Sequence, residues 1–335
     1  MSDRIGILVT GVGGGVGQSL LKCLQETDYR VVAADGENLG TGLFVADRGY
    51  TIPYASDAAF IERVLAVCER EACRIVFPGL DAELSVLSRA RERFLAAGVT
   101  CVVSSPEVVE ICDDKLLTSQ FLATAGLPAP RTCALSEVDS LREVRFPMVL
   151  KPMKGGKRSI GVRIARDERD LSRQLQTLDT SNYVAQELIE GHEYTCGTVN
   201  FHNGCEGAIV MRRVLRDGDT YKAFVEDNPL VERCVRDAAD ALRPFGACNF
   251  QLRVRDGVPY VFEINARSSG TTYCRSLAGF NEPKMIADRL LHGIPPAYSI
   301  RRISVLRYWN ELVVDNSRIE RLAHDGAVDG DGSRL

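Results

Sequence analysis

Asn249-Phe250-Gln251-Leu252-Arg253-Val254-Arg255-Asp256-Gly257-Val258-Pro259-Tyr260-Val261-Phe262-Glu263-Ile264-Asn265-Ala266-Arg267 is the stretch that decides the fold. It reads as two strands joined by a turn at Asp256-Gly257. Side chains alternate across a strand, so Glu263, Asn265 and Arg267 share one face. Pairing across the turn brings Gln251 close to them. A polar face on an otherwise apolar strand is hard to explain by packing, with the solvated face of an edge strand as the competing reading. Carboxylate and amide oxygens from Glu263, Asn265 and Gln251 suit Mg²⁺. Arg267, beside them, suits the charge of a transferring phosphoryl group.

Upstream, Phe146-Pro147-Met148-Val149-Leu150-Lys151-Pro152 places a cation at the end of an apolar strand. The loop that follows, Lys154-Gly155-Gly156-Lys157-Arg158-Ser159-Ile160-Gly161, can bring backbone N–H groups and basic side chains to a polyphosphate. Lys115 opens a helix with Leu116, Leu117, Phe121 and Leu122 on its apolar stripe. The connector Ala185-Gln186-Glu187-Leu188-Ile189-Glu190-Gly191-His192-Glu193 can offer backbone groups to a base and a carboxylate to a ribose. Arg212, Arg213, Lys222, Tyr273 and Arg275 are candidates for a substrate carboxylate or phosphate, with plain surface charge as the competing reading.

The first third alternates apolar strands (Ile5–Thr10, Arg30–Asp35, Arg74–Pro78, Thr100–Ser104) with helical patterns at 58–71 and 83–97. That order predicts a doubly wound parallel sheet. Thr10-Gly11-Val12-Gly13-Gly14-Gly15-Val16-Gly17 follows the first strand, and Asp35 ends the second. The glycine spacing departs by one residue from the dinucleotide pattern. Its readings are a nicotinamide or flavin site, an anion-binding turn in which Gly13 and Gly14 meet a substrate, or packing alone. The expected domains are residues 1–112, a Rossmann-like unit; 113–185, a small lid with a linker helix; 186–300, a strand-rich unit with the metal face; and 301–335, an extension with a disordered end.

The chain has 335 residues, a net charge of -4 and 45% hydrophobic residues, a globular composition without the basic excess of nucleic-acid binders. Its 11 cysteines form no C-x-x-C pair, and the four histidines do not cluster. A zinc site is therefore not expected, and reduced thiols in a cytoplasmic protein are. No apolar run is long enough for a membrane span or a signal core.

Taken in order, these pieces resemble the ATP-grasp superfamily, and within it one synthetase unit of the carbamoyl-phosphate synthase large subunit. The resemblance covers about residues 1–295. It implies an α/β and α+β architecture: a parallel-sheet pre-ATP-grasp domain, a lid, and an antiparallel C-terminal domain. By position it gives Lys115 and Lys151 to ATP phosphates and closes the loop containing Gly155, Gly156 and Ser159 over them. Gln186, Glu187, Leu188 and Ile189 then hold adenine and Glu193 the ribose. Gln251, Glu263 and Asn265 face Mg²⁺, with Mn²⁺ a permitted substitute. Arg267 and Lys151 are the catalytic pair. The implied activity is an ADP-forming carboxylate–amine or carboxylate–thiol ligase working through an acyl phosphate. Its partners are small molecules, without nucleic acid or membrane, and family habit suggests a homodimer. Lys157-Arg158 stands where many relatives have glycine or serine, and a single unit without a glutaminase is not expected to make carbamoyl phosphate. The alternatives are an ATP-binding regulatory protein with little turnover and an NAD(P)-dependent oxidoreductase.

Overall fold

A computed structural model describes residues 4–137, 144–155 and 159–335. The first unit contains β1 (Gly6–Thr10), α1 (Gly15–Leu24), β2 (Arg30–Asp35), α2 (Gly42–Val45), β3 (Arg48–Thr51), α3 (Phe60–Arg70), β4 (Cys73–Phe77), α4 (Asp81–Arg89), α5 (Arg91–Ala96) and β5 (Thr100–Cys101). Its central strands are uniformly buried, as a parallel sheet covered on both faces requires. The expected helix over 83–97 is two helices that meet at Ala90.

Two helices follow, α6 (Pro106–Asp113) and α7 (Lys115–Thr124). Asp114 caps α7, accepting the Leu116 and Leu117 N–H groups at 2.9 and 3.2 Å. The lid holds β6 (Thr132–Ala134), β7 (Met148–Pro152), β8 (Arg163–Ala165), α8 (Glu168–Leu175) and β9 (Tyr183–Glu187). Its sheet runs β6-β9-β7-β8, all antiparallel. β9 had been expected to open the strand-rich unit. It pairs instead with β6 and β7, so Gln186 and Glu187 sit on a lid strand.

The third unit contains β10 (His192–Phe201), β11 (Gly204–Ile209), β12 (Met211–Arg216), β13 (Asp219–Val225), α9 (Pro229–Leu242), β14 (Gly246–Arg255), β15 (Val258–Asn265), α10 (Thr272–Leu277), α11 (Glu282–His292) and β16 (Ser304–Leu306). The sheet order is β15-β14-β10-β12-β13-β16, with β11 also on β10. One face presents Tyr194, Cys196, Phe250, Leu252 and Ile264 to α9 and to Leu122 of α7. The other receives α10 and α11, with Phe280 and Ile286 against Val199 and Ala247.

Within the expected extension the structure has two further elements. The chain continues into α12 (Asn316–Asp325) and β17 (Ala327–Asp329), which pairs antiparallel with β3. The first sheet therefore runs β17-β3-β2-β1-β4-β5.

Candidate active site

Register builds the polar face. β14 and β15 align Gln251 with Glu263 and Asn249 with Asn265, while Phe250 and Ile264 point into the opposite core. Glu263 Oε1 accepts from Gln251 Nε2 at 3.1 Å and from Asn265 Nδ2 at 3.0 Å. Arg267 leaves the end of β15 and forks onto Asp81, at 2.6 and 2.8 Å. Its Nη2 also reaches Asn265 Oδ1 at 3.3 Å. Burial disfavours the Arg267 charge, and Asp81 with Glu263 more than restores it.

The lid meets this face through Lys151. Its ammonium, at the end of β7, donates to Gln186 Oε1 at 2.8 Å and to Phe262 O at 3.2 Å. Burial lowers its pKa to about 8; Glu263 pulls it up and Lys115 pushes it further down. Lys115 starts α7 beside it, with its N–H on Met153 O at 3.0 Å. A cavity of about 680 Å³ joins these parts; its wall includes Asp81, Lys115, Lys154, Gly155, Glu263 and Asn265.

Glu193 lies on the same sheet face, opposite Arg253 on β14. Arg213 Nη2 reaches Glu193 Oε1 and Gln251 Oε1, both at 2.6 Å, and Arg253 takes the other Glu193 oxygen at 2.7 Å. Burial pushes the Glu193 carboxyl up, but Arg213 and Arg253 outweigh it and hold it below the usual range. In the connector, Glu187 N–H is on Arg131 O at 2.8 Å and Ile189 O accepts from Arg253 at 3.1 Å. Leu188 is half-buried, Ser159 is exposed with φ 57°, and Gly156 lies outside the described residues.

Three substrate expectations are corrected. Lys222 pairs with Val214 next to Ala223–Arg213, so it projects from the opposite face of the sheet to Arg213. Arg275 is fully buried, ion-paired with Glu282 at 2.5 Å and bonded to Asn249 and Ser269, so it serves the core. The Gly13 N–H donates to Asp35 Oδ2 at 2.6 Å and the Gly14 N–H to Gly11 O at 3.2 Å, so both are engaged within the loop. Gly17 is there for packing: a Cβ would stand 2.3 Å from Gly11 O. α1, which follows the loop, is tied to the segment after β15, because Ser19 Oγ donates to Gly270 O at 3.0 Å.

Sequence reasoning missed Asp81 and Glu83. Both sit just beyond β4, at the carboxyl edge of the parallel sheet where ligands of such sheets gather, and that position was the available signal. Glu83 is buried, accepts from Thr10 Oγ1 at 2.6 Å, and is pushed up to about 7 by burial.

Comparison with known proteins agrees with this layout. Residues 7–102 match the family described as PylC-like, N-terminal domain, and residues 179–311 match ATP-grasp in the biosynthetic pathway with Ter operon. The chain is 28% identical over 176 residues to a D-alanine–D-alanine ligase of Bacillus anthracis, covering 46% of this chain and 57% of that protein. It is 24% identical to the carbamoyl phosphate synthase large chain of Vibrio cholerae, over 90% of this chain and 31% of the other. The chain thus spans little more than half of the first relative and about a third of the second. The structure of N5-carboxyaminoimidazole synthetase from Staphylococcus aureus complexed with ADP superposes with a TM-score of 0.70 at 17% identity, over 89% of this chain and 80% of that one. With its parallel-sheet first unit, its lid and its antiparallel strand-rich sheet, the chain has the ATP-grasp fold, and its residues 179–311 match an ATP-grasp family.

Proposed function

We propose that this protein is an ATP-dependent carboxylate–amine, or carboxylate–thiol, ligase that forms ADP and phosphate. One observation carries the reading: the registered Gln251–Glu263–Asn265 face, with Arg267 at its end, lies against the buried ammonium of Lys151. The related D-alanine ligase and carbamoyl phosphate synthase support it, as does the ADP complex of similar fold.

The donor set fits a hard divalent cation. Glu263 contributes a carboxylate, and turning the Gln251 or Asn265 amide over presents oxygen where nitrogen now bonds Glu263. Mg²⁺ held there would neutralise phosphate charge, with Mn²⁺ an acceptable replacement. Lys151 and Lys115 orient the phosphates, and Gly155 and Ser159 belong to the loop that covers them. Leu188 and Ile189 border the base, and Glu193 the ribose. A substrate carboxylate oxygen attacks the γ-phosphorus as its bond to ADP breaks. Arg267, braced by Asp81, faces the charge that develops. The amine nitrogen or thiol sulfur then attacks the acyl carbon, loses its proton, and phosphate departs. Catalysis is positioning and charge compensation, with no protein nucleophile. The lid keeps water from the acyl phosphate.

The dehydrogenase alternative loses ground because Asp35 takes the Gly13 N–H, a donor at the turn that would face a dinucleotide pyrophosphate. The test is a screen of carboxylic acids and amines for stimulated ADP release. Glu263→Gln and Arg267→Ala should each fold as the parent does and lose that release. Retained release in both variants would sink the assignment, and tight ATP binding that no acid ever stimulates would point to a regulatory protein. Among the described residues no helix is long and apolar enough to cross a membrane.

A further inference from the structure

A second cavity, of about 480 Å³, lies where α5 and β5 of the first unit meet the Phe245 end of the strand-rich sheet. Its apolar walls are Leu95, Val99, Phe201, Phe245 and Leu290. β10 and β14 pair antiparallel as far as Asn200 with Gly246. Phe201 ends β10 and Phe245 directly precedes β14, so the two rings come side by side. They meet edge to face, with centroids 6.3 Å apart. The place is held from both units. The Phe245 N–H donates to Ser104 Oγ at 3.0 Å. Gly246, at φ 79°, lies so close to the chain after β5 that a Cβ would stand 2.3 Å from Val102. The gap between the units is therefore set by backbone positions.

Two guanidinium groups line this cavity, one from each unit. Arg91, at the start of α5, lies 5.5 Å from the Phe245 ring centre, and Arg289 of α11 lies 5.8 Å from that of Phe201. Arg289 is partly engaged, with Gly293 O at 3.3 Å and a Glu206 oxygen at 3.6 Å. The half-buried Arg91 guanidinium has neither a hydrogen bond nor an ion pair among the described residues. His202 tilts over Phe245 at 5.9 Å and brings a ring nitrogen to the wall. The carboxylate on the wall, Glu92, is exposed, and among the described residues it pairs with neither arginine.

This place is separate from the ATP cleft. Phe245 stands six residues before Gln251 on the run of β14, roughly 20 Å at the rise of a strand. No residue of its wall belongs to the wall of the cavity beside Glu263. Its volume is that of a small-molecule site. Aromatic walls suit a planar ring, and a half-buried guanidinium without a partner suits an anion. We propose that this cavity is a second ligand site, for a small planar aromatic acid. Its ring packs against Phe201 and Phe245, and its carboxylate or phosphate pairs with Arg91. The bound acid touches both units, and the inference is independent of the ligase reading.

The experiment titrates 2-naphthoate, and separately 2-naphthyl phosphate, into the full chain by calorimetry, with and without ADP and Mg²⁺. Saturable binding of at least one is expected, at the same affinity in both conditions, and the tighter one names the anionic group. Two controls dissect the recognition: 2-naphthamide keeps the ring without the charge, and cyclohexanecarboxylate keeps the charge without the ring. Each should bind roughly tenfold more weakly, and Arg91→Ala should weaken the probes by a similar factor. Leu95→Trp should abolish binding. Leu95 is 61% exposed, so the larger side chain occupies the cavity without disturbing a core. Calorimetric ADP affinity should be the same in both variants and the parent. Absence of saturation with both probes, displacement of the probe by ADP, a control that binds as tightly as the probes, or parent-like affinity in either variant overturns the proposal.

Discussion

Lys151 is subject to two opposing demands. In the role proposed for it its ammonium must be charged to hold a phosphate, yet burial has brought its pKa down to about 8. The sign is opposite for binding and for stability. Below about pH 8 the group is protonated in both folded and unfolded chains, and the folded state carries the full cost of burying the charge. Between about 8 and the ordinary value of 10.5 the folded state releases its proton first, so stability rises with pH there. Over the whole interval the gain is about 3 kcal/mol. ATP affinity should move the other way and fall as pH passes about 8, because the phosphate loses its cation. Lys151→Arg, which stays charged, should keep affinity level through that range, and Lys151→Met should remove the rise in stability. Calorimetric ATP titrations and melting curves on either side of pH 8 check both. An affinity for the unaltered chain that does not change there counts against the role of Lys151.

α10 and α11 are joined by one buried ion pair, Arg275–Glu282, with Thr272 and Ser269 accepting further Arg275 donors, and Arg275 is tied to β14 through Asn249. The sheet makes room for it at Gly197, where a Cβ would stand 2.1 Å from Glu282 Oε1. Arg275→Met should lower stability by about 3–5 kcal/mol, because it strands the Glu282 charge, and the double variant with Glu282→Leu should recover most of the loss. Thermal melts of the three proteins decide it; additive losses would show that the pair is not coupled. These elements also mark where the sequence stops being legible. The β14–β15 hairpin was readable because polar and apolar residues alternate on either side of Asp256-Gly257 and state both the turn and the face. α10 has six residues and no periodic stripe, and β3 has four, so neither announced itself. Lys222 and Arg275 were misplaced for a related reason. The face a strand residue takes is set by register, and β12 to β13 shifts register beyond Val214. An arginine shortly after a polar strand gives no sign that a glutamate seven residues on will bury it.

Asp81–Arg267, Ser19–Gly270, Tyr29–Asp288 and Asn281–Cys23 are polar ties between the parallel-sheet unit and the strand-rich unit. The tail adds a tie of a different kind. After β16 it crosses to the first unit, where Arg318 bonds Phe44 O at 2.9 Å and β17 covers the β3 edge. Leu322 and Val328 are buried there at 1% and 2% exposure, in the same apolar cluster as Leu43, Phe280 and Ile286. One core therefore spans both units and includes the last helix and strand. Ending the chain after Asp315 should remove those two buried side chains, at about 1.5–3 kcal/mol each, and leave β3 with an unpaired edge. The shortened protein should melt earlier, exchange β3 amides faster, and associate through the exposed strand. The hairpin of β14 and β15, shielded by α7 and α9, should keep its protection. Amide exchange separates this from general loosening: equal acceleration in β3 and β15 would mean the tail stabilises the whole molecule, and no acceleration in β3 would mean β17 does not guard that edge.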